Sequence, residues 1–196
     1  MQKLDRETLD SLEEYSENRD EFRRRVMEHK KPRRVALTEH ANLYFEDFLT
    51  MKYQVQEMLR AERIFEAEGI MDEIDTYNPM IPDGSNWKAT FMVEYEDVAE
   101  RRARLAELVG IEDRIYMQVN GMDRVYAIAD EDLERETEEK TSSVHFMRFE
   151  LTPEMVRAVQ DGADIRAGSD HPNLTEEVTL SPESRASLAG DLDPAQ

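Results

Sequence analysis

The sequence contains no cysteine among its 196 residues. This absence excludes disulfide bonds, thiolate nucleophiles, and zinc or iron–sulfur sites that are built from cysteine. Basic residues are also scarce, since 25 Lys and Arg stand against 45 Asp and Glu and give a net charge of −20. Such a charge repels nucleic-acid phosphates and anionic lipids, so neither is expected as a general partner.

Long apolar runs are missing as well. No window approaches the roughly 18 apolar residues that mark a membrane-spanning helix. The first 20 residues, MQKLDRETLDSLEEYSENRD, are acidic and amphipathic and lack the apolar stretch of a signal peptide. We therefore expect a cytoplasmic protein that does not enter a membrane.

Several catalytic signatures are absent from the sequence. It has no Glu-x-x-His pair of the ferritin-like di-iron proteins, no His-Glu-x-x-His zinc helix and no P-loop. It also has no Gly-x-Gly-x-x-Gly fingerprint and no Gly-x-Ser-x-Gly elbow. Standard hydrolase, kinase and dehydrogenase chemistry therefore has no support from motifs.

The elements that are present alternate between helical and strand patterns. Apolar periodicity predicts helices over residues 5–29 and 49–68 and a core strand over 88–96, and Asn120-Gly121 between two apolar runs predicts a hairpin. We expect an α+β fold with a mostly antiparallel sheet, helices packed on one side and a helical N-terminal segment.

The chain length predicts one domain with a sizeable core. From His171 onward apolar residues become rarer, while Ser, Pro, Asp and Glu become more frequent. We therefore predict a single α+β domain over residues 1–173, followed by an acidic and mobile tail over residues 174–196.

Two polar residues stand on otherwise apolar faces. His145, in the strand pattern SSVHFMRFEL (142–151), shares its side with three large apolar side chains, and Glu62 lies near the centre of the apolar arc of the 49–68 helix. The ordinary explanation is a buried group with a hydrogen-bonded or charged partner. The functional alternative is that Glu62 and His145 meet in the interior, as a general-base pair or as half of a divalent-metal site.

Asp170 and His171, followed by Pro172, form a second candidate pair. An adjacent Asp and His can both ligate a metal, although Asp and Pro are also common in ordinary turns. If this segment closed over His145, Asp170 and His171 would supply the ligands that Glu62 and His145 lack.

The segment RRRVMEHKKPRR (23–34) has seven Lys or Arg residues and one Glu, in contrast to the rest of the chain. It could bind a phosphate-bearing ligand or an acidic partner. Alternatively, it neutralises the chain's own acidic segments, such as residues 130–139. With a net charge of −20, internal neutralisation is the favoured interpretation of this segment.

Four stretches carry a resemblance to known sequences: SLEEYSENRDEFRRRVMEHKKPRRVAL, FEDFLTMKYQVQEMLRAERIFEAEGI, YNPMIPDGSNWKATFMVEYED and VYAIADEDLERETEEKTSSVHFMRFELTPEM. The chain resembles a bacterial family of about this length that is known only as a domain of unknown function. The resemblance covers roughly residues 3 to 173 and leaves the tail after Asn173 as a feature particular to this chain. It transfers no catalytic residue and no activity.

Members of that family are often encoded beside rubrerythrin-like proteins and iron–sulfur oxidoreductases. The resemblance therefore implies an accessory or interaction protein of a bacterial redox or peroxide-defence system. Because this chain has neither Cys nor Glu-x-x-His, it would serve as a protein partner that carries no iron–sulfur cluster itself. The alternative is a small metal-dependent or acid–base enzyme with a site around Glu62 and His145.

Overall fold

The computed structural model of the chain describes residues 1–132, 137 and 140–193. The helices are α1 (Leu12–Lys30), α2 (Phe48–Glu62), α3 (Ala67–Tyr77), α4 (Val98–Glu107), α5 (Pro153–Gln160) and α6 (Pro182–Ala189). The strands are β1 (Arg34–Ala36), β2 (Ala41–Glu46), β3 (Asn86–Val93), β4 (Ile115–Val119), β5 (Arg124–Tyr126), β6 (Ile128–Ala129), β7 (Val144–Glu150), β8 (Ile165–His171) and β9 (Leu174–Thr179).

The strands form two sheets. The first has the order β1-β2-β3-β7-β6 and the second the order β5-β4-β8-β9. All pairings between these strands are antiparallel. The predicted α+β class is confirmed, and the antiparallel strands are divided between two sheets. None of the helices in the described part of the chain is long and apolar enough to span a membrane.

The main core lies where the inner faces of both sheets meet. Because side chains alternate along a strand, Phe91 of β3 and Phe149 of β7 enter the same interior as Met117 of β4 and Ala167 of β8, and all four are fully buried. Helices α4, α5 and α6 cover the open sides of this core with apolar side chains. Burial of this apolar surface is the main stabilising term of the fold.

Helices α1, α2 and α3 form a separate layer, which confirms the predicted helical N-terminal segment. Its buried clusters are built from α2 and α3 on one side and from α1 on the other. Helix α2 ends at Glu62 and not at residue 68, because Arg63 adopts the left-handed conformation with a φ of 54° and the Ile64 N–H donates to the Leu59 carbonyl.

The C-terminal segment differs from the predicted tail. Strand β9 pairs with β8 along its whole length, and Leu188 of α6 is completely buried in the main core. Residues 174–193 therefore belong to the domain, whose fold continues past the predicted boundary at residue 173. The average composition of this segment did not indicate its burial, because a few well-spaced leucines are enough to pack a short strand and a short helix against the core. Residues 194–196 lie outside the described part of the chain.

A buried arginine attaches this C-terminal segment to the N-terminal half of the chain. Arg33 lies directly after α1 and is 2 % exposed; its Nη2 lies 2.6 Å from Asp191 Oδ2. Its guanidinium also donates to the carbonyl groups of Phe45 and Glu46 and to the Ser187 hydroxyl. The planar fork of arginine can serve several acceptors in this way, which the lysine ammonium cannot do with the same geometry.

Candidate functional site

His145 lies in β7 and points into the core, as its sequence pattern predicted. The side chain is completely buried, and its ring is tilted against Phe91. Nδ1 lies 2.6 Å from Asp130 Oδ2, whereas Nε2 lies 2.8 Å from Thr141 Oγ1 and 3.1 Å from the Ser142 carbonyl oxygen. Both ring nitrogens therefore have polar partners inside the protein.

Asp130 is positioned by an unusual backbone conformation. It follows β6 and has a φ of 52°, a left-handed conformation that aspartate tolerates better than most residues. Its backbone N–H donates to the Phe146 carbonyl, and its Oδ1 accepts from the Phe146 N–H. These two bonds continue the pairing of β6 with β7 and direct Oδ2 towards His145.

A carboxylate, an imidazole and a hydroxyl in series form the arrangement that activates a nucleophile in many hydrolases. Here, however, the Thr141 residue is 1 % exposed and His145 is 0 % exposed. The four principal cavities lined by described residues include neither of them. The arrangement therefore supports a structural role, in which His145 ties Asp130 and Thr141, at the two ends of the acidic 130–139 segment, to β7.

The predicted pair of Glu62 and His145 is not formed. Glu62 is the last residue of α2 and is exposed, whereas His145 lies in the core between the sheets. The turn at Arg63 places Glu62 at the helix end, near Glu73 of α3. Burial, and then the charges of Glu62 and Asp72, raise the pKa of Glu73.

Asp170 and His171 do not join His145 either. They are neighbours on β8 and point to opposite faces of the sheet. The His171 ring donates from Nε2 to the Val109 carbonyl at 2.9 Å and accepts at Nδ1 from the Asn173 N–H at 3.1 Å, so neither nitrogen has a free lone pair for a metal.

Asp170 belongs to the outer face of the second sheet. It accepts a hydrogen bond from the Tyr126 hydroxyl at 2.6 Å and lies 3.5 Å from the Arg124 guanidinium. The predicted metal ligands thus occupy separate places. Within the residues that the structure describes, no three His, Asp or Glu side chains are grouped so that they could hold a metal ion.

The basic 23–34 segment has two different parts in the structure. Its last residues make contacts within the chain, since Arg33 pairs with Asp191 and Asp47, and Lys31 pairs with Glu28. Arg23 and Arg24, on α1, are exposed and form no ion pair with any described residue. The expected neutralisation of the acidic 130–139 segment is not seen among these contacts; residues 133–136, 138 and 139 of that segment lie outside the described residues.

One further site was missed by the sequence reasoning. A cavity of about 300 Å³ lies between the end of α3 and the outer face of the first sheet. Its lining combines apolar side chains with the buried Lys88 of β3 and with Arg148 of β7. Lys88 alternates with the inward-facing core residues Ala89 and Phe91, a pattern that is typical of a solvated lysine and gives no sign of a site.

The comparisons with known proteins agree on the family and leave the activity open. A family described as protein of unknown function DUF3501 matches residues 3–192. A crystal structure of a protein of unknown function from Burkholderia pseudomallei K96243 superposes with a TM-score of 0.93 at 50 % sequence identity, over 98 % of this chain and 100 % of that one. No curated protein matches the chain significantly. The family match extends to residue 192, so the segment after Asn173 is shared by the family and is not particular to this chain.

Proposed function

Because the chain belongs to the DUF3501 family, described as proteins of unknown function, we propose its role from its own surface. We propose that it is an accessory protein of a bacterial redox or peroxide-defence system, and that it docks an acidic protein partner on helix α1. The redox context is the one that the sequence resemblance implies. The docking surface is inferred from the charges of α1.

The observation that carries this proposal is a basic face on an otherwise acidic protein. At 100° per residue, four side chains of α1 and that of Lys31, directly after the helix, fall within an arc of about 120°. They are Arg23, Arg24, Met27, Lys30 and Lys31, and we name this set the basic face. Met27, near its centre, is 36 % exposed and adds an apolar contact to the charges.

The charges of the basic face remain available to a partner. Arg23 and Arg24 make no ion pair with the described residues, and the Lys31–Glu28 pair is exposed on both sides, at 68 % and 65 %. Exposed pairs of this kind contribute little and exchange readily with solvent. Lys30 extends over the Tyr53 ring, with its ammonium 5.6 Å from the ring centroid.

A basic face on a chain of net charge −20 would orient an acidic partner during encounter. The rest of the surface repels such a partner, while the basic face attracts it, so productive encounters concentrate on α1. Electrostatic complementarity of this kind mainly supplies orientation and association rate, and the contact needs only moderate apolar burial.

The test compares three forms of the protein as baits in a lysate of the source bacterium at physiological salt. The baits are the unaltered protein, the double variant Arg23→Glu/Arg24→Glu, and the control Arg102→Glu/Arg104→Glu, which reverses two exposed arginines of α4. Mass spectrometry should identify the same acidic oxidoreductase with the unaltered bait and the control. Recovery with the α1 variant should fall about tenfold or more, since it loses the steering charges.

Purified components then measure the same interaction directly. The affinity of the captured protein should decrease as salt is raised from about 50 to 300 mM, because the contact depends on exposed charges. Equal recovery with all three baits would contradict docking on α1. Failure to recover any oxidoreductase, or recovery of a partner with no link to redox chemistry, would contradict the accessory role.

A further inference from the structure

The cavity beside Lys88 is separate from the basic face and from His145. Its walls are the end of α3 with the turn that follows, the outer face of β3 and β7, and the first residues after Asp130. Its volume of about 300 Å³ is at the lower end of the range that small-molecule sites occupy. Three of its lining side chains are large and apolar or aromatic: Tyr77, Met80 and Phe146.

Lys88 is an unusual residue for such a cavity. Its side chain is 10 % exposed, and its one ionic partner among the described residues is Asp83, with Nζ and Oδ2 3.5 Å apart. Asp83 is shared, because its other oxygen lies 2.8 Å from the Lys3 ammonium. The Lys88 amine has three hydrogen-bond sites, and the long contact with Asp83 occupies at most one of them.

The strand pairing places Lys88 between two charged residues. Its direct cross-strand neighbours are Arg148 on β7, a like charge that destabilises an antiparallel pair, and Glu46 on β2, an opposite charge that stabilises one. Burial lowers the pKa of Lys88 from its ordinary value, although the nearby Asp83 opposes this shift. The amine therefore carries a desolvation cost that the nearby Asp83 offsets only in part, and it places a hydrogen-bond donor at the wall of the cavity.

The charges around the cavity indicate which ligand would fit. The lining contains two cations, Lys88 and Arg148, and two carboxylates, Glu131 and Asp132. Arg148 is already occupied, since it donates to Glu131 from Nε at 3.1 Å and from Nη2 at 2.9 Å, and to Glu150 from Nη1 at 2.7 Å. With Asp83 close to Lys88, an anionic ligand would meet at least as much negative as positive charge.

We propose that this cavity binds a small, uncharged, mainly apolar molecule that carries a carbonyl group. Its apolar part packs against Phe146, Met80 and Tyr77, and its carbonyl oxygen accepts a hydrogen bond from the Lys88 amine. Such a ligand fits the balanced charge of the lining, and it uses the donor that the protein leaves without a close partner.

The probes are acetophenone, ethylbenzene and benzoate, which share a ring and differ in the group attached to it. Titrations are followed by NMR of protein labelled at the methionine methyl groups, where Met80 reports on the cavity. Acetophenone should shift the Met80 signal and bind about tenfold more tightly than ethylbenzene, the effect of one hydrogen bond to a charged donor. Equal affinities, or tighter binding of benzoate than of acetophenone, would overturn the proposal.

Two variants test whether the Lys88 amine donates the hydrogen bond to the ligand. Lys88→Met should remove the preference for acetophenone over ethylbenzene and retain the apolar binding, whereas the control Lys52→Met, on α2, should keep the preference. A preference that survives in Lys88→Met would overturn the role of the amine. If that variant does not fold, NOE contacts between bound acetophenone and the Lys88 side chain of the unaltered protein decide the question, because their absence excludes the proposed pose. These measurements use no protein partner, so their result is independent of docking on α1.

Discussion

Replacement of Arg33 by methionine tests the attachment of the C-terminal segment. Methionine retains much of the apolar stem of arginine, but it removes the charge 2.6 Å from the Asp191 carboxylate. The Asp191 side chain is 5 % exposed, so the change leaves an unpaired buried carboxylate. It also leaves the carbonyls of Phe45 and Glu46 without the donor that now serves them.

Removing one partner of a buried ion pair costs about 3–5 kcal/mol in the free energy of unfolding. This is a large fraction of the 5–15 kcal/mol that is typical of a whole domain. We therefore expect Arg33→Met to lower the free energy of unfolding by about 3–5 kcal/mol at pH 7.5.

The cost should also depend on pH. Burial raises the pKa of Asp191 from 3.8 to about 6, against the opposing effect of Arg33. Because the folded pKa is above the unfolded one, the folded state binds more protons between about pH 4 and 6, and stability falls as pH rises through this range. Without Arg33 the pKa of Asp191 rises further, so Asp191 is protonated at pH 5 and the variant loses less stability there than at pH 7.5.

Urea unfolding followed by circular dichroism at pH 7.5 and 5.0 measures both effects. The matched control is Arg185→Met on α6, where the arginine is 33 % exposed and its partner Asp164 is 62 % exposed. A surface pair of this kind is worth about 1 kcal/mol or less. The reasoning is refuted if both variants lose equal stability at pH 7.5, or if Arg33→Met loses as much at pH 5.0 as at pH 7.5.

Substitutions at two further positions test hydrogen bonding in the core, at His145, and close packing on the outer face of β8, at Gly168. His145→Leu should lower the free energy of unfolding in urea by about 2–3 kcal/mol, because Asp130 and Thr141 lose their buried partner. His145→Gln should restore part of that loss. Equal stability of the two variants would count against a contribution from the hydrogen bonds. Gly168→Ala should lower the free energy of unfolding by about 1–3 kcal/mol, since an added Cβ would lie 2.5 Å from the Tyr116 ring. A change below about 0.5 kcal/mol would contradict this close approach.

The sequence pattern predicted the environment of His145 correctly but not its partner. Alternation along residues 142–151 was enough to turn the imidazole into the core. The partner is Asp130, which belongs to a segment whose acidic composition predicts exposure and whose orientation depends on one left-handed backbone angle. Neither the angle nor the pairing of β6 with β7 can be inferred from composition, and Glu62 was the more conspicuous candidate.

Lys88 shows a different limit of sequence reasoning. Alternation along the strand puts it on the outer face of β3, where lysine is normally solvated. Its burial arises because the end of α3 covers that face, and its proximity to Arg148 arises from the register of β3 against β7. Both are contacts between distant parts of the chain, which local periodicity does not report.

His145 and the Lys88 cavity lie on opposite faces of β7 and are connected through the same short segment. His145 holds Asp130, and the next residue, Glu131, reaches around the edge strand to make its two bonds to Arg148. Because Glu131 occupies Arg148, the guanidinium is held in position beside Lys88 and is unavailable to a ligand. The buried histidine therefore fixes the start of the segment that supplies one wall of the cavity. This arrangement gives the buried imidazole a structural role, since it holds the residue that precedes Glu131.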